Sequence, residues 1–251
     1  MSFIDLHTHS LASTHAYNTI TELITQAGLI GLSGFAITDH APAMADSPHP
    51  WHFNSLVDEI PFKLNDIVVI KGIEANVLNA DGETDLKMVR RNKLDWVIAS
   101  IHGSVLPSTL TSEQVDFLWE QVASNPDIDM IGHSESPRYP YDFERLTKIF
   151  KDSGKIVELN TKIFGIRSGN MESFIQLALA CKRNKVPVAL GSDAHSIYTL
   201  GKFEQTLSLL QALEFPEELI VNRSPHTLAQ AVKYTNPKLA HKLAEAFEFT
   251  I

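Results

Sequence analysis

A rhythm of short apolar runs, each stopping at a polar or ionisable residue and followed by a helical pattern or a loop, limits this chain to very few folds. The runs are Phe3–Leu6 before His7-Thr8-His9, Gly34–Thr38 before Asp39-His40, Ile67–Ile73 before Glu74, and Trp96–Ile101 before His102. Three more follow: Met130–Gly132 before His133, Ile156–Leu159 before Asn160, and Val186–Leu190 before Gly191-Ser192-Asp193-Ala194-His195. Apolar residues fall at helical spacing over Tyr17–Ile30, Glu113–Ala123, Phe143–Lys151, Met171–Asn184 and Phe203–Leu213. The tail from Pro225 to Phe247 reads as one or two closing helices. Alternation of this kind makes parallel strands, and functional groups at the carboxyl end of every strand point to a closed (β/α)7 barrel. An open doubly wound sheet, the alternative, gathers its chemistry at one switch point instead. The Pro-rich stretch leading to Trp51 and His52 reads as a long loop and a candidate lid.

At 251 residues, a single α/β domain spanning 1–251 is expected, and 44% hydrophobic with 20% charged residues are globular values. No stretch approaches the roughly 18 apolar residues of a membrane helix. The first strand begins too early for a signal segment, so no membrane partner and a cytoplasmic location are expected. Cys181 is the single cysteine, which excludes an intrachain disulfide and multi-thiolate metal sites. A formal charge of −9 argues against an extended nucleic-acid partner, which needs a basic stripe. Bound divalent cations concentrate positive charge at one place, so a small anion remains acceptable to an acidic chain. Self-association as a homo-oligomer is left open.

Nine residues stand at or just past strand ends: His7, His9, His15, His40, Glu74, His102, His133, Asp193 and His195. His7 and His9 sit two apart, so in extended backbone both imidazoles leave the same face. A single histidine in such a place is ordinarily a hydrogen-bonded structural residue, and chance alone supplies about 0.5 His-x-His pairs at this histidine content. Seven of eleven histidines at strand ends are another matter. Nine nitrogen and oxygen donors exceed what one tetrahedral or octahedral ion accepts, so several ions are expected, three by our reading. Zinc suits such donors, with manganese or iron as the alternatives. His49 and His52 offer substrate contacts or a general acid from the loop after the second strand. His226 and His241, in the tail, read as solvated or capping residues.

The segments Asp5-Leu6-His7-Thr8-His9, Ala12-Ser13-Thr14-His15-Ala16-Tyr17, Ile37-Thr38-Asp39-His40, Gly72-Ile73-Glu74-Ala75-Asn76 and Gly191-Ser192-Asp193-Ala194-His195 resemble the signatures of the PHP (polymerase and histidinol phosphatase) family, in particular its YcdX-type phosphatases. The likeness spans nearly the whole chain. It implies a distorted (β/α)7 barrel, TIM-like, with three divalent ions. It also implies hydrolysis of a small phosphate monoester by a metal-activated hydroxide. By the same resemblance His7, His9, Glu74 and Asp193 hold one ion, Glu74, His102 and His133 a second, and His15, His40 and His195 a third. Glu74 then bridges two ions, and Glu74, Asp193 and His195 are the residues expected to carry catalysis. The chain departs from the pattern after His133, where Ser134-Glu135 stand in place of Pro-Gly. A carboxylate there, near the mouth, is expected to repel highly charged substrates.

Adjacent cations suit phosphoryl chemistry because they lower the pKa of a bridging water to about 7, neutralise phosphate oxygens and stabilise the leaving oxygen. Arg167, in the loop after the sixth strand, is the candidate bidentate phosphate clamp, with His52 as the second candidate substrate contact. Asp39 and Asn160 are expected to orient ligands. Two rival readings stay open. An amidohydrolase also starts with His-x-His, but its paired metals commonly share a lysine at the end of strand four, where this chain has His102. The other rival is a catalytically idle metal-binding PHP module.

Overall fold

Seven parallel strands and one short antiparallel strand form the sheet of the computed structural model, which describes residues 2–89 and 91–251. Strand β1 (Ile4–Thr8) leads through helix α1 (Ile20–Ile30) to β2 (Gly34–Ile37), and helix α2 (Trp51–Glu59) leads to β3 (Lys63–Leu64) and β4 (Ile67–Asn76). Next come β5 (Trp96–Ser100), α3 (Ser112–Ser124), β6 (Met130–Ile131), α4 (Phe143–Asp152) and β7 (Ile156–Asn160). The chain ends with α5 (Met171–Asn184), β8 (Val188–Gly191), α6 (Glu204–Ala212), α7 (Pro225–Val232) and α8 (Pro237–Phe247). The parallel order is β1-β2-β4-β5-β6-β7-β8, so the expected seven-stranded barrel is present. Closure between β8 and β1 is incomplete. A lone bridge joins Thr8 to Ala194, and the buried Asn222 amide spans the rest: it accepts from Leu190 N at 3.0 Å and donates to the carbonyls of Ile4 and Leu190, each at 2.8 Å. One side chain here substitutes for missing ladder bonds.

Local chemistry sets the helix limits. Thr19 and Glu22 form a capping box at the start of α1 and Gly31 ends it in the left-handed region, so the helix begins three residues later than apolar spacing alone predicts. The segment read as a lid loop is shorter than expected, because Trp51–Glu59 is helical and buries Phe53 and Leu56 in the outer core. His49 Nδ1 accepts from Trp51 N at 3.2 Å where that helix starts. A hairpin also escaped the sequence reading. Asn65 and Asp66 both have positive φ, the two-residue type I′ turn that lets β3 pair with β4.

Two apolar layers flank the strands. Outward residues such as Phe35, Val69, Val97, Val157 and Leu190 pack in the layer beneath the surrounding helices. Inward residues Ile4, Leu6, Val68, Ile70, Trp96 and Met130 cluster with Leu228, Val232, Leu239 and Leu243 of α7 and α8. These two helices plug the amino-terminal end of the barrel, and Lys242 Nζ lies 2.7 Å from Asp95 Oδ1 just before β5. The carboxyl end is left for polar groups.

Candidate metal centre

Alternation along β4 turns Gly72, Glu74 and Asn76 inward while Ile73 and Ala75 join the outer layer. The Glu74 carboxylate therefore stands inside the rim, nearly fully buried, with imidazoles around it. Its Oε2 lies 3.3 Å from His7 Nε2, 3.6 Å from His9 Nε2 and 3.2 Å from His40 Nε2. Its Oε1 faces a different pair, His102 Nε2 at 3.3 Å and His133 Nε2 at 3.0 Å. Asp193 Oδ1 adds a second carboxylate, 3.2 Å from His9 Nε2 and 3.9 Å from His7 Nε2. Asp193 and His133 both have positive φ, 50° and 21°, and such backbone in non-glycine residues clusters at functional sites.

His7 reaches this ring through an irregularity. Leu6 packs inside the barrel, so strict alternation would turn His7 outward, but the β1 to β2 register shifts between Asp5 and Thr8. Leu6 and His7 consequently both face in.

The opposite ring nitrogens are tied down. His7 Nδ1 lies 2.7 Å from Glu158 Oε1, and Glu158 Oε2 accepts from His133 N at 2.7 Å. His102 Nδ1 lies 2.7 Å from Asn76 Oδ1, whose amide nitrogen donates to Asp85 Oδ2 at 2.7 Å. Asp46 Oδ2 serves two histidines at once, His15 Nδ1 at 2.7 Å and His40 Nδ1 at 2.8 Å. His195 Nδ1 is 2.8 Å from the Asp193 carbonyl oxygen. At His7, His102, His15 and His40 the acceptor at Nδ1 places the ring proton there and leaves Nε2 as the nitrogen free to bind a cation.

Those Nε2 lone pairs meet carboxylate oxygens, an arrangement that repels unless a cation lies between them. The Nε2 atoms of His7, His9 and His195 are buried without a hydrogen-bond partner. Two donors bound about 2.0–2.1 Å from a tetrahedral zinc stand about 3.3–3.4 Å apart, close to the spacings around Glu74. The donor set thus fits nitrogen- and oxygen-bound divalent ions. Among the described residues, donor atoms lying within 4.8 Å of one another fall into four groups: His7, His9 and Asp193; His40, Glu74 and His102; His9, His40 and His195; His15, His40 and Asp46. His9 thus joins His40 and His195, while His15, half-exposed, pairs with His40 through Asp46.

Electrostatics agrees with a donor set able to hold a cation. Burial opposes the ionised form of Glu74, but His7 and His102 hold its carboxyl well below the usual range. Burial takes His9 down to about 3, and His133 and His195 to about 4, so each is neutral at pH 7. At His7 burial is overcome by Glu158, Glu74 and Asp193, which raise it well above the ordinary value. His40 is likewise carried to about 9, against burial, by Glu74 and Asp46. At both, the surrounding carboxylates favour positive charge.

The remaining expected residues divide. Arg167 Nη2 is 3.4 Å from Asp193 Oδ2 and its Nε is buried without a partner, while Asn160 Nδ2 also approaches Asp193 Oδ2 at 3.4 Å. His52 sits on α2, not on a loop, and its Nε2 lies 3.0 Å from Asp39 Oδ2. Asp39 in turn accepts from Ser10 N, Ser10 Oγ and Ser13 Oγ, each at 2.8 Å, and so braces the loop between His9 and His15. The Glu135 side chain is 0% exposed, and its carboxylate lies within electrostatic reach of Arg167. Sequence reasoning missed Asp46, Asn76, Asp85 and Glu158, because none ends an apolar run in a recognisable way. It also gave no role to Lys162, whose Nζ is 2.9 Å from Asp193 Oδ1 and 2.9 Å from His195 Nδ1.

The PHP domain family model matches residues 5–162. A probable phosphatase of Clostridium acetobutylicum is 35% identical over 232 residues, covering 92% of this chain and 94% of that protein. The probable phosphatase YcdX of Escherichia coli O81 is 38% identical over 226 residues, covering 90% and 91%. Among solved structures, the histidinol phosphate phosphatase of Lactococcus lactis, complexed with zinc, L-histidinol and phosphate, superposes with a TM-score of 0.62 at 20% identity. That match covers 86% of this chain and 95% of the other, and it shows a shared fold. With a family match over more than half its length and relatives along nearly all of it, this chain belongs to the PHP domain family.

Proposed function

We propose that this protein is a metal-dependent phosphatase that hydrolyses small phosphate monoesters at a site of three divalent ions, most suited to zinc. The observation that carries the reading is the division at Glu74, whose two oxygens face two different sets of imidazoles. A carboxylate so placed is disposed to link two ions, as the resemblance implies. Relatives of matching length named as probable phosphatases, and a structural neighbour holding zinc and phosphate, support the same chemistry. The ions would supply an acidified water and neutralise phosphate charge when bound.

This chain's own groups do the rest. Glu158, Asn76 and Asp46 keep the imidazoles of His7, His102, His15 and His40 in one tautomer and one orientation. Arg167, at the edge of the site, is placed to grip the phosphate through two N–H groups once Asp193 is engaged elsewhere. Asp193 and His195 complete the site opposite Glu74, and His52 supports it through Asp39.

The test is metal content and rate on one preparation. Elemental analysis is expected to find more than one transition ion per chain, with metal-dependent turnover of 4-nitrophenyl phosphate that inorganic phosphate inhibits. Full metal content without turnover of any phosphate ester favours the idle module instead.

A further inference from the structure

The loop after β6 places its two charged residues differently. Glu135 lies inside, whereas Arg138, three residues on, is exposed and lines a cavity of about 330 Å³. His102, His133 and Arg167 line the same cavity, so it opens directly against the metal centre and the candidate phosphate clamp. Asn170 and Ser136 add neutral polar groups, and none of its lining residues is an aspartate or glutamate. Among the described residues, Arg91, Arg145, Arg167, Arg183 and Arg223 each pair with a carboxylate, and Arg138 alone among the arginines does not. The loop that carries it is anchored, because the Tyr139 hydroxyl donates to the Leu106 carbonyl and Arg138 N donates to Ser136 Oγ at 3.4 Å.

An unpaired guanidinium on a fixed loop, across a polar cavity from a second guanidinium, recognises an anion at a set distance from the first. We propose that this cavity is a subsite for a second anionic group, so that the favoured substrates are phosphate esters whose alcohol portion carries a carboxylate or a further phosphate held by Arg138. The inference rests on the phosphatase reading for its first anchor, the ester phosphate at Arg167 and the metal centre. The cavity is of the size of small-ligand pockets, larger than one phosphate group needs.

Calorimetry on the metal-loaded protein tests it with non-hydrolysable probes: ω-phosphonocarboxylates with one to four methylenes, the α,ω-bisphosphonates of equal length, and the matching alkylphosphonates. At the best-fitting length the doubly anionic probe is expected to bind about tenfold tighter than the alkylphosphonate, the order of one charge-assisted contact. Arg138→Gln should remove that gain and Arg138→Lys keep part of it, and which probe series wins identifies the second group as carboxylate or phosphate. Equal binding of singly and doubly anionic probes, or a gain that survives Arg138→Gln, overturns the subsite. Failure of the phosphatase reading shows separately, as absence of ester turnover while the binding gain persists; if no phosphonate binds at all, both fall.

Discussion

In the proposed reading, Glu74 concentrates the chemistry of the site in one side chain. Its neighbours supply nitrogen donors that a single ion can share, but only a carboxylate offers two charged oxygens to two ions at once. Glu74→Gln keeps the shape, removes the charge and leaves one good donor oxygen. We expect the variant to lose at least one ion and to fall in kcat by about 100-fold or more, the scale of metal-ion catalysis. The fold should persist, since Glu74 lies on the polar rim away from both apolar layers. Metal analysis, circular dichroism and phosphatase rate on the same sample decide the matter: unchanged stoichiometry and turnover would remove Glu74 from the bridging role.

At the level of elements, β8 shows how tightly one strand is fitted to its neighbours' side chains. A Cβ at Gly191 would lie 2.0 Å from Glu158 Oε1 and 2.9 Å from His7 Cβ, so the strand must carry glycine where the Glu158 to His7 contact passes in front of it. Gly191→Ala is expected to push Glu158 away from His7 and release that imidazole from its orientation. Overpacking of this kind costs about 1–3 kcal/mol. At about 2–4 °C per kcal/mol for a chain of this length, calorimetry should register a lower Tm together with reduced metal content. A variant that matches the parent in both would mean that the strand moves aside freely. The same strand and β1 also depend on Asn222 for their partial closure, a residue that lies well outside every motif in the sequence.

For the whole molecule, the apolar core and the candidate metal centre are separable. The inner layer and its plug of α7 and α8 bury their residues without help from the rim, so the barrel should form in the absence of metal, while bound ions add stability by mass action. Each site filled at about 1,000 times its Kd contributes about 4 kcal/mol, so chelation should lower Tm by roughly 10 °C or more while the far-ultraviolet spectrum at 25 °C stays the same. A Tm indifferent to chelator would mean that the native state binds no ion. Among the described residues no helix is long and apolar enough to cross a membrane. Much of this architecture was legible in the order of residues: the seven parallel strands, most of the helices and the inventory of donors follow from period and side-chain chemistry, which act over a few neighbours. The helix α2 and the turn at Asn65-Asp66 were not, because a buried face on α2 and a left-handed turn outweighed weak local signals. The sequence by itself determined which donors the chain owns and which end of the sheet they occupy. Only the tertiary structure decided that Leu6 and His7 both face inward, that Glu158 meets His7 across 151 residues of chain, and that Glu135 is buried while Arg138 is displayed. Those outcomes depend on strand register and on the approach of distant elements, which local spacing does not encode.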